Sequence, residues 1–532
     1  MHVAHSSALG ARPASGTPAP SLTRRHAPAP TPAPLLRHPR PLGATPSPLP
    51  PSPSGTNPPP ASPPPPAKQP PAVLLDDART QAFMSWARGP ASIKFSGVRP
   101  STFGGVRGLA ASADLAPERL LVEVPRRSAL VLAPAARNGA PGLVTDAWWK
   151  GAPWFAKMGA MLIEQKRASG ASPLGPWVAQ LPQDPAVPAL WSDQQVAALQ
   201  YPHLIQLVRE QQKEWRDLYD TLKREGVAAG ASPPSREEFQ WALAVVRSRT
   251  FSGPYIGSTL SDRLRLAGVV GALVAANTAL GLADLATSAS AALAVLVFNV
   301  LYELLLSQSL KQYAICPLID LFNHSGTVQS EVSYNYFGDS YEVVAAREFK
   351  QGEQVFISYG AQSNDSLMQF YGFSEQDNPK DVYVLRDTAR WLAAFPPAPL
   401  APTRLAALRA SSLGGALEQV VVQREGFPPE ALQALRFLLA PEGEAAKGVA
   451  AFDKPGPPEA EALLAAALAH LVGAELGALG SSLQEDQALL AGAGPAEGKG
   501  KRRALSGPEA AAVAFRAEKK KVLAGVLSSL GA

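Results

Sequence analysis

The chain has 532 residues, with 49 Lys and Arg against 44 Asp and Glu and a formal charge of +5, which is room for two or three hydrophobic cores. Residues 1–75 hold five arginines and Lys68 and no acidic residue; without them 43 basic residues face 44 acidic ones, which argues against a broad nucleic-acid surface. Cys316 is the only cysteine and only His203, His324 and His470 follow residue 75, so an intrachain disulfide and a Cys/His zinc cluster are excluded and no metal centre is expected.

Residues 1–72 hold nearly half of the 53 prolines, with Arg24, Arg25, Arg37 and Arg40 set among Ser, Ala and His. Such a segment cannot bury a core. Its first stretch, through about Arg40, reads as a plastid transit peptide and the Pro-rich run after it as a spacer; a Pro-rich ligand arm is the alternative. The expected location is therefore the chloroplast, in the stroma or at a membrane.

"DDARTQAFMSWARG" then reads as a short helix, and residues 91–132 as several strands separated by Gly and Pro turns. From about 145 to 248 the apolar spacing is helical, in "WFAKMGAMLIEQKRA", "YPHLIQLVREQQKEWRDLYDTLKRE" and "REEFQWALAVVRSR". An apolar insertion follows at about 258–312. Leu266 to Ala283 and Leu285 to Tyr302 are uncharged blocks of eighteen residues parted by Asp284. Each is about long enough to cross a bilayer. Membrane contact through residues 266–306 and a pair of buried, packed helices are both open, with packing the leading expectation. Strand patterning returns in "SEVSYNYFGDSYEVVAAREFKQGEQVFISYG", with "FGDS" as a turn, and from 386 to 532 the spacing is helical.

Two short motifs mislead. "GAGPAEGKGK" lacks the Gly spacing of a phosphate loop and has Gly500 where a hydroxyl residue must stand, and "KGKRR" (499–503) reads as a solvated loop. Asn323-His324-Ser325 matches a glycosylation sequon, which the apolar flank and the leader disfavour.

"CPLIDLFNHS" (316–325) carries Asp320, Asn323 and His324 in an otherwise apolar run, so polar groups go inside with it and need partners. Taken in order, "GGVRGLAA" (104–111), "SRTF" (248–251), "PLIDLFNHS" (317–325), "GEQVFISYG" (352–360) and "SNDSLMQFYGF" (363–373) resemble the SET-domain protein methyltransferases of the Rubisco large-subunit methyltransferase family. The resemblance implies an α+β chain: a β-rich SET fold with a pseudoknot and a helical insert over 73–385, followed by an all-α substrate-binding domain over 386–532. It implies S-adenosylmethionine as cofactor, with Gly105, Arg107, Arg249, Asn323 and His324 binding it, Arg249 through its carboxylate and His324 through the backbone. At Gly105 and Arg107 the family more often has an acidic residue and Leu. Asp320, Tyr334 and Tyr371 would line the substrate channel, and Tyr359 would be catalytic. The cofactor would also satisfy polar groups that burial leaves without partners.

The acceptor implied is a lysine of a folded plastid protein, with Rubisco or aldolase as candidates and histidine as another possible acceptor residue. A lysine amine of pKa about 10.4 must first lose its proton, at about 4 to 5 kcal/mol near neutral pH. Desolvation lowers that cost, and a tyrosine hydroxyl can orient the amine. The rival reading is a SET scaffold that binds partners in a plastid assembly with methyl transfer weak or lost.

Overall fold

The structure is a computed structural model. It describes residues 70–532 apart from 135, 254–259, 306–311, 336–337, 387, 396–401, 493–504 and 532, so the leader through residue 69, the false phosphate-loop motif beyond Gly492 and the basic run 499–503 lie outside the described residues.

The predicted first helix spans Ala78–Arg88. Asp77 caps it by accepting from the Thr80 amide, and Phe83, Trp86 and Ala87 turn inward. The Gly-punctuated region forms the strands its pattern predicts. β1 (Ala72–Leu74), β3 (Val98–Phe103) and β4 (Val106–Ala111) make one antiparallel sheet in the order β1-β3-β4. A second sheet runs β10 (Ser333–Asn335), β11 (Ser340–Val344), β5 (Leu120–Pro125), β2 (Lys94–Phe95). The third has the order β6 (Leu130–Leu132), β8 (Gln312–Ile315), β7 (Phe251–Gly253). Its middle strand thus follows the apolar insertion and an outer strand precedes it.

Between β6 and β7 lies the helical insert, whose helices include Asp146–Gly151, Trp154–Ala168, Pro202–Thr221 and Arg236–Arg249. Trp154–Ala168 packs on Arg236–Arg249 at Gly159, where an added Cβ would stand 2.9 Å from the Leu243 side chain. The unbroken inward run Trp241 to Val246 explains why that helix can be enclosed by the fold: it has no polar face over six residues. Trp177, Phe239, Phe322, Tyr341 and Phe349 fill the core these elements share.

A second core is built from the helices Pro429–Leu439, Pro458–Ala478 and Gly507–Ser529, together with Tyr201, Leu204 and Val208 of the insert. Among the described residues after 386 the chain is helical but for one strand, which corrects the all-α expectation. β14 (Val420–Gln423), the β-branched run "VVVQ", pairs antiparallel with β13 (Val382–Leu385) and carries the sheet across the expected boundary.

The apolar insertion folds as two helices, Leu260–Ala279 and Leu285–Leu305, that pack on each other. Asp284 starts the second by accepting from the Thr287 amide (2.8 Å) and hydroxyl (2.8 Å). The leading expectation of burial fails here: among its described residues nearly all of the hairpin is solvent-exposed, with Leu280 and Leu282 at its tip more than two-thirds exposed.

Candidate active site

The site is assembled where "CPLIDLFNHS" passes beside "GEQVFISYG". Leu318 has φ 72, a conformation rare for a residue with a Cβ, and it turns the chain into the short 3₁₀ segment Ile319–Leu321. Left-handed backbone of this kind costs on the order of 1 to 3 kcal/mol, offset here because Leu318, Ile319 and Phe322 are all buried. β9 (Asn323–His324) then runs parallel to β12 (Phe356–Ile357), and the Ser325 amide donates to the Ile357 carbonyl. The Val355 amide reaches the Leu109 carbonyl, so three distant segments lie side by side.

Most polar groups of this segment find partners within the protein. The Asn323 amide donates to the Arg107 carbonyl (2.9 Å). His324 Nδ1 accepts from the Tyr359 amide (3.0 Å), which puts the proton of a neutral ring on Nε2, 3.7 Å from a Glu375 oxygen. Burial holds this imidazole below its ordinary pKa, against the pull of Glu375. Asp320 Oδ2 accepts from Trp177 Nε1 (3.2 Å) and faces Arg249 Nη1 (3.4 Å), which also donates to the Asp320 carbonyl (2.7 Å).

Beside this knot lies a cavity of about 720 Å³, the size of a cofactor or ligand pocket, lined among others by Arg249, Asp320, Tyr334, Gln362, Tyr359 and Tyr371. Two of the lining residues keep a buried polar atom without a hydrogen-bond partner: Nε of Arg249, a donor, and Oδ1 of Asp320, an acceptor. Burial raises the Asp320 carboxyl pKa, while Arg249, Trp177 and Arg107 pull it back. An unsatisfied donor and acceptor in one wall suit a ligand with both a carboxylate and an ammonium group.

Tyr359 closes one side. Its hydroxyl donates to the Phe322 carbonyl (2.6 Å), and its ring lies 5.1 Å from His324 and 4.9 Å from Tyr371, centroid to centroid. Burial pushes its pKa well above the ordinary phenol value, with Tyr371 adding to the shift, so the group is a neutral hydroxyl at any physiological pH. Tyr371 is likewise raised by burial, with Arg247 opposing. Tyr334 is held at the rim by a short hydrogen bond to Asp339.

The structure therefore brings Arg249, Asp320, Tyr334, Tyr359 and Tyr371 to one cavity and sets Asn323 and His324 in the knot beside it. Gly105 is elsewhere: it occupies the exposed β3–β4 turn with φ 87, and an added Cβ there would touch nothing. Arg107 is not among the residues lining this cavity; its guanidinium donates to the Gln180 carbonyl (2.8 Å). The glycine that permits close approach is Gly108, where a Cβ would stand 2.8 Å from Asn323 Nδ2 and 2.6 Å from Gln354 Nε2. Sequence reasoning also missed Trp177, Gln180, Gln362 and Glu375. Gln362 and Glu375, each two residues beyond a quoted motif, carried a local signal.

Residues 396–523 match the family model described as Rubisco LSMT substrate-binding. A solved structure of Rubisco LSMT bound to sinefungin and monomethyllysine aligns with TM-score 0.53 over 86% of this chain and 92% of its own, at 19% identity, and one of Rubisco LSMT bound to AdoMet aligns equally well. Among curated proteins, human SET domain-containing protein 4 is 40% identical over 75 residues, 14% of this chain and 17% of its own length. The zebrafish (Danio rerio) actin-histidine N-methyltransferase is 38% identical over 68 residues, 13% of this chain and 11% of its own, and ribosomal lysine N-methyltransferase 4 of Schizosaccharomyces pombe is 30% identical over 82, 15% and 17%. The chain thus matches less than a fifth of the length of these relatives.

The fold is that of the SET-domain structures, followed by a helical region that matches a substrate-binding model. More particularly, the fold resembles that of Rubisco LSMT over most of the chain's length, and residues 396–523 match the Rubisco LSMT substrate-binding model.

Proposed function

We propose that the chain is an S-adenosylmethionine-dependent protein methyltransferase whose acceptor is a lysine side chain. The observation that carries this reading is the pairing of unsatisfied Arg249 Nε and Asp320 Oδ1 in a cavity of about 720 Å³ that also holds the Tyr359 hydroxyl. Arg249 suits the carboxylate and Asp320 the ammonium of the cofactor's amino-acid end, and Asn323 and His324 hold the adjoining wall in shape through Arg107 and Tyr359. When bound, S-adenosylmethionine supplies a methyl group on a sulfonium.

The residues of the chain then do three things. Tyr334 and Tyr371 flank the cavity with aromatic rings and exclude water, which favours the neutral form of an entering amine. The Tyr359 hydroxyl, too weak an acid to give up its proton, orients that amine by hydrogen bonding. Asp320 and Arg249 fix the cofactor end and need not move a proton. Lysine is favoured over histidine by the neighbouring structure holding monomethyllysine, while the actin-histidine relative keeps histidine as the rival acceptor.

The acceptor protein is read as folded, because the region matching a substrate-binding domain is itself a packed helical body. A plastid location, with Rubisco or aldolase as the acceptor, is the finer form of this proposal. It rests on the acid-free, Pro- and Arg-bearing first 75 residues and on the Rubisco LSMT resemblance. Import of a fluorescent fusion of residues 1–75 into isolated chloroplasts tests the location.

Calorimetric titration of the full chain with S-adenosylmethionine tests the function. Micromolar binding is expected, reduced at least tenfold in Arg249→Ala. Tyr359→Phe should keep binding but lose roughly 100-fold or more in methyl transfer to a lysine-bearing acceptor, the scale for removing one preorganised hydrogen-bonding group, here an oxygen that accepts from the amine. Folded protein that binds no cofactor would leave the scaffold reading in its place.

A further inference from the structure

The hairpin of helices Leu260–Ala279 and Leu285–Leu305 is the one part of the described chain whose large apolar side chains face solvent on both of its helices. Val269, Leu273, Leu285, Leu293, Val295 and Val297 are between 47% and 62% exposed. They do not form a single stripe. Leu293 and Val297 share a face of the second helix, whereas Val295, two residues from each, is turned about 200° from Leu293. A groove on a protein partner covers one side of a helix pair, but hydrocarbon covers every side.

Length and charge agree. Leu266 to Ala283 and Leu285 to Tyr302 contain no charged residue; at 1.5 Å per residue the helical part of the first, Leu266 to Ala279, reaches about 21 Å and the second about 27 Å, against the ~30 Å hydrocarbon thickness of a bilayer. Charges stand only at the ends. Asp262, Arg263 and Arg265 precede the first block, Glu303 and Lys311 follow the second, and Asp284 sits in the connection with both carboxylate oxygens engaged by Thr287. Polar ends and an uncharged shaft are the distribution a bilayer selects.

The root of the hairpin is tied to the cavity. It leaves from β7 and returns to β8, which pair antiparallel with Gly253 opposite Gln312, and Ser252 and Gly253 line the cavity wall. From Gly253 to Leu260 the chain can span at most roughly 25 Å.

We propose that this hairpin inserts into a lipid bilayer and holds the cavity mouth close to the membrane surface, so that the protein substrate is one attached or apposed to that membrane. The insertion stands on the hairpin alone; the statement about substrate rests on the methyltransferase reading.

The test is flotation of the full chain with vesicles of phosphatidylcholine containing about one-third phosphatidylglycerol, at low salt and at about 1 M salt, where surface electrostatics are screened. The expected result is flotation at both salts. Leu273→Lys combined with Leu293→Lys should leave the melting temperature unchanged, because both side chains are exposed, and reduce vesicle partitioning roughly 100-fold or more. Four results would overturn the proposal: folded protein that does not float, flotation lost at high salt, a double variant that floats as the parent does, or a dimer on gel filtration that the double variant abolishes while neither form floats. The last would assign the hairpin to a second copy of the chain. Cofactor titration of the same samples keeps the two readings apart, since flotation without cofactor binding would sink the methyltransferase and leave the hairpin.

Discussion

At Gly108 the absence of a single carbon lets the knot close. β4 brings its backbone against the side-chain amides of Asn323 and Gln354, and the Asn323 amide then reaches the Arg107 carbonyl. Gly108→Ala should cost about 1 to 3 kcal/mol, the usual penalty for a forced fit in packed surroundings, and should weaken cofactor binding by displacing Asn323. Gly105→Ala meets no neighbour and pays only for its φ of 87, on the order of 1 kcal/mol. Thermal melts with calorimetry separate the two: a pair of variants with equal loss of binding would show that the β3–β4 turn, and not the knot, touches the cofactor. Both glycines lie in "GGVRG", and the spacing of that motif does not say which one a distant strand will approach.

Among the elements, the helix Asn364–Tyr371 determines where Tyr371 stands. Ser363 caps its start, and Gly372 ends it in the left-handed conformation with φ 79. At that end an added Cβ would lie 2.0 Å from the Ala186 carbonyl oxygen of the helical insert. Backbone stands on both sides of that contact, so neither can yield cheaply. Gly372→Ala is expected to destabilise by more than about 3 kcal/mol, combining backbone strain with a steric clash, and to appear as loss of soluble protein or a melting point lowered by several degrees. A soluble variant with an unchanged melting point would show that the insert and the Tyr371 helix are not packed this way. The glycine of "FYGF" was visible in the sequence as part of a motif. That it is also the contact between the insert and the site came only from the fold.

On the scale of the whole molecule, the C-terminal helix Gly507–Ser529 is fastened by buried charge. Lys519 Nζ donates to Asp365 (2.9 Å), Asp381 (2.6 Å) and the Val382 carbonyl (2.8 Å), and all three side chains are buried. The neighbouring Lys520 and Arg516 both engage Asp486. Lys519→Met leaves two carboxylates buried without their cation and should cost about 3 to 5 kcal/mol. Burial first, then Asp381, pushes the Asp365 pKa up to about 6 from an ordinary 3.8, although Lys519 opposes the shift. Because the folded value is the higher one, the contribution of this group is fully present below pH 3.8 and is lost as pH rises through about 6. Stability measured by denaturant titration should therefore gain from Asp365 as pH falls from 7 to 5, and Asp365→Asn should remove that gain. An unchanged slope in the variant would mean that Asp365 is already ionised across this range.

The order of motifs, the composition of the first 75 residues and the periodicity of the helices were legible from the sequence because each depends on neighbours a few positions apart. Local spacing places Tyr359 in a strand-like segment and gives "REEFQWALAVVRSR" its helix. The lysines of "AEKKK" form a charged run, yet Lys519 and Lys520 are buried, because the carboxylates that compensate them lie 34 or more residues away. Likewise the apolar insertion leaves membrane contact and packing both open, with packing leading, since apolar composition says that water is disfavoured and not what replaces it. Only the tertiary structure decided that the two cores close without the hairpin, and that Arg249 and Asp320, seventy-one positions apart, share one cavity wall.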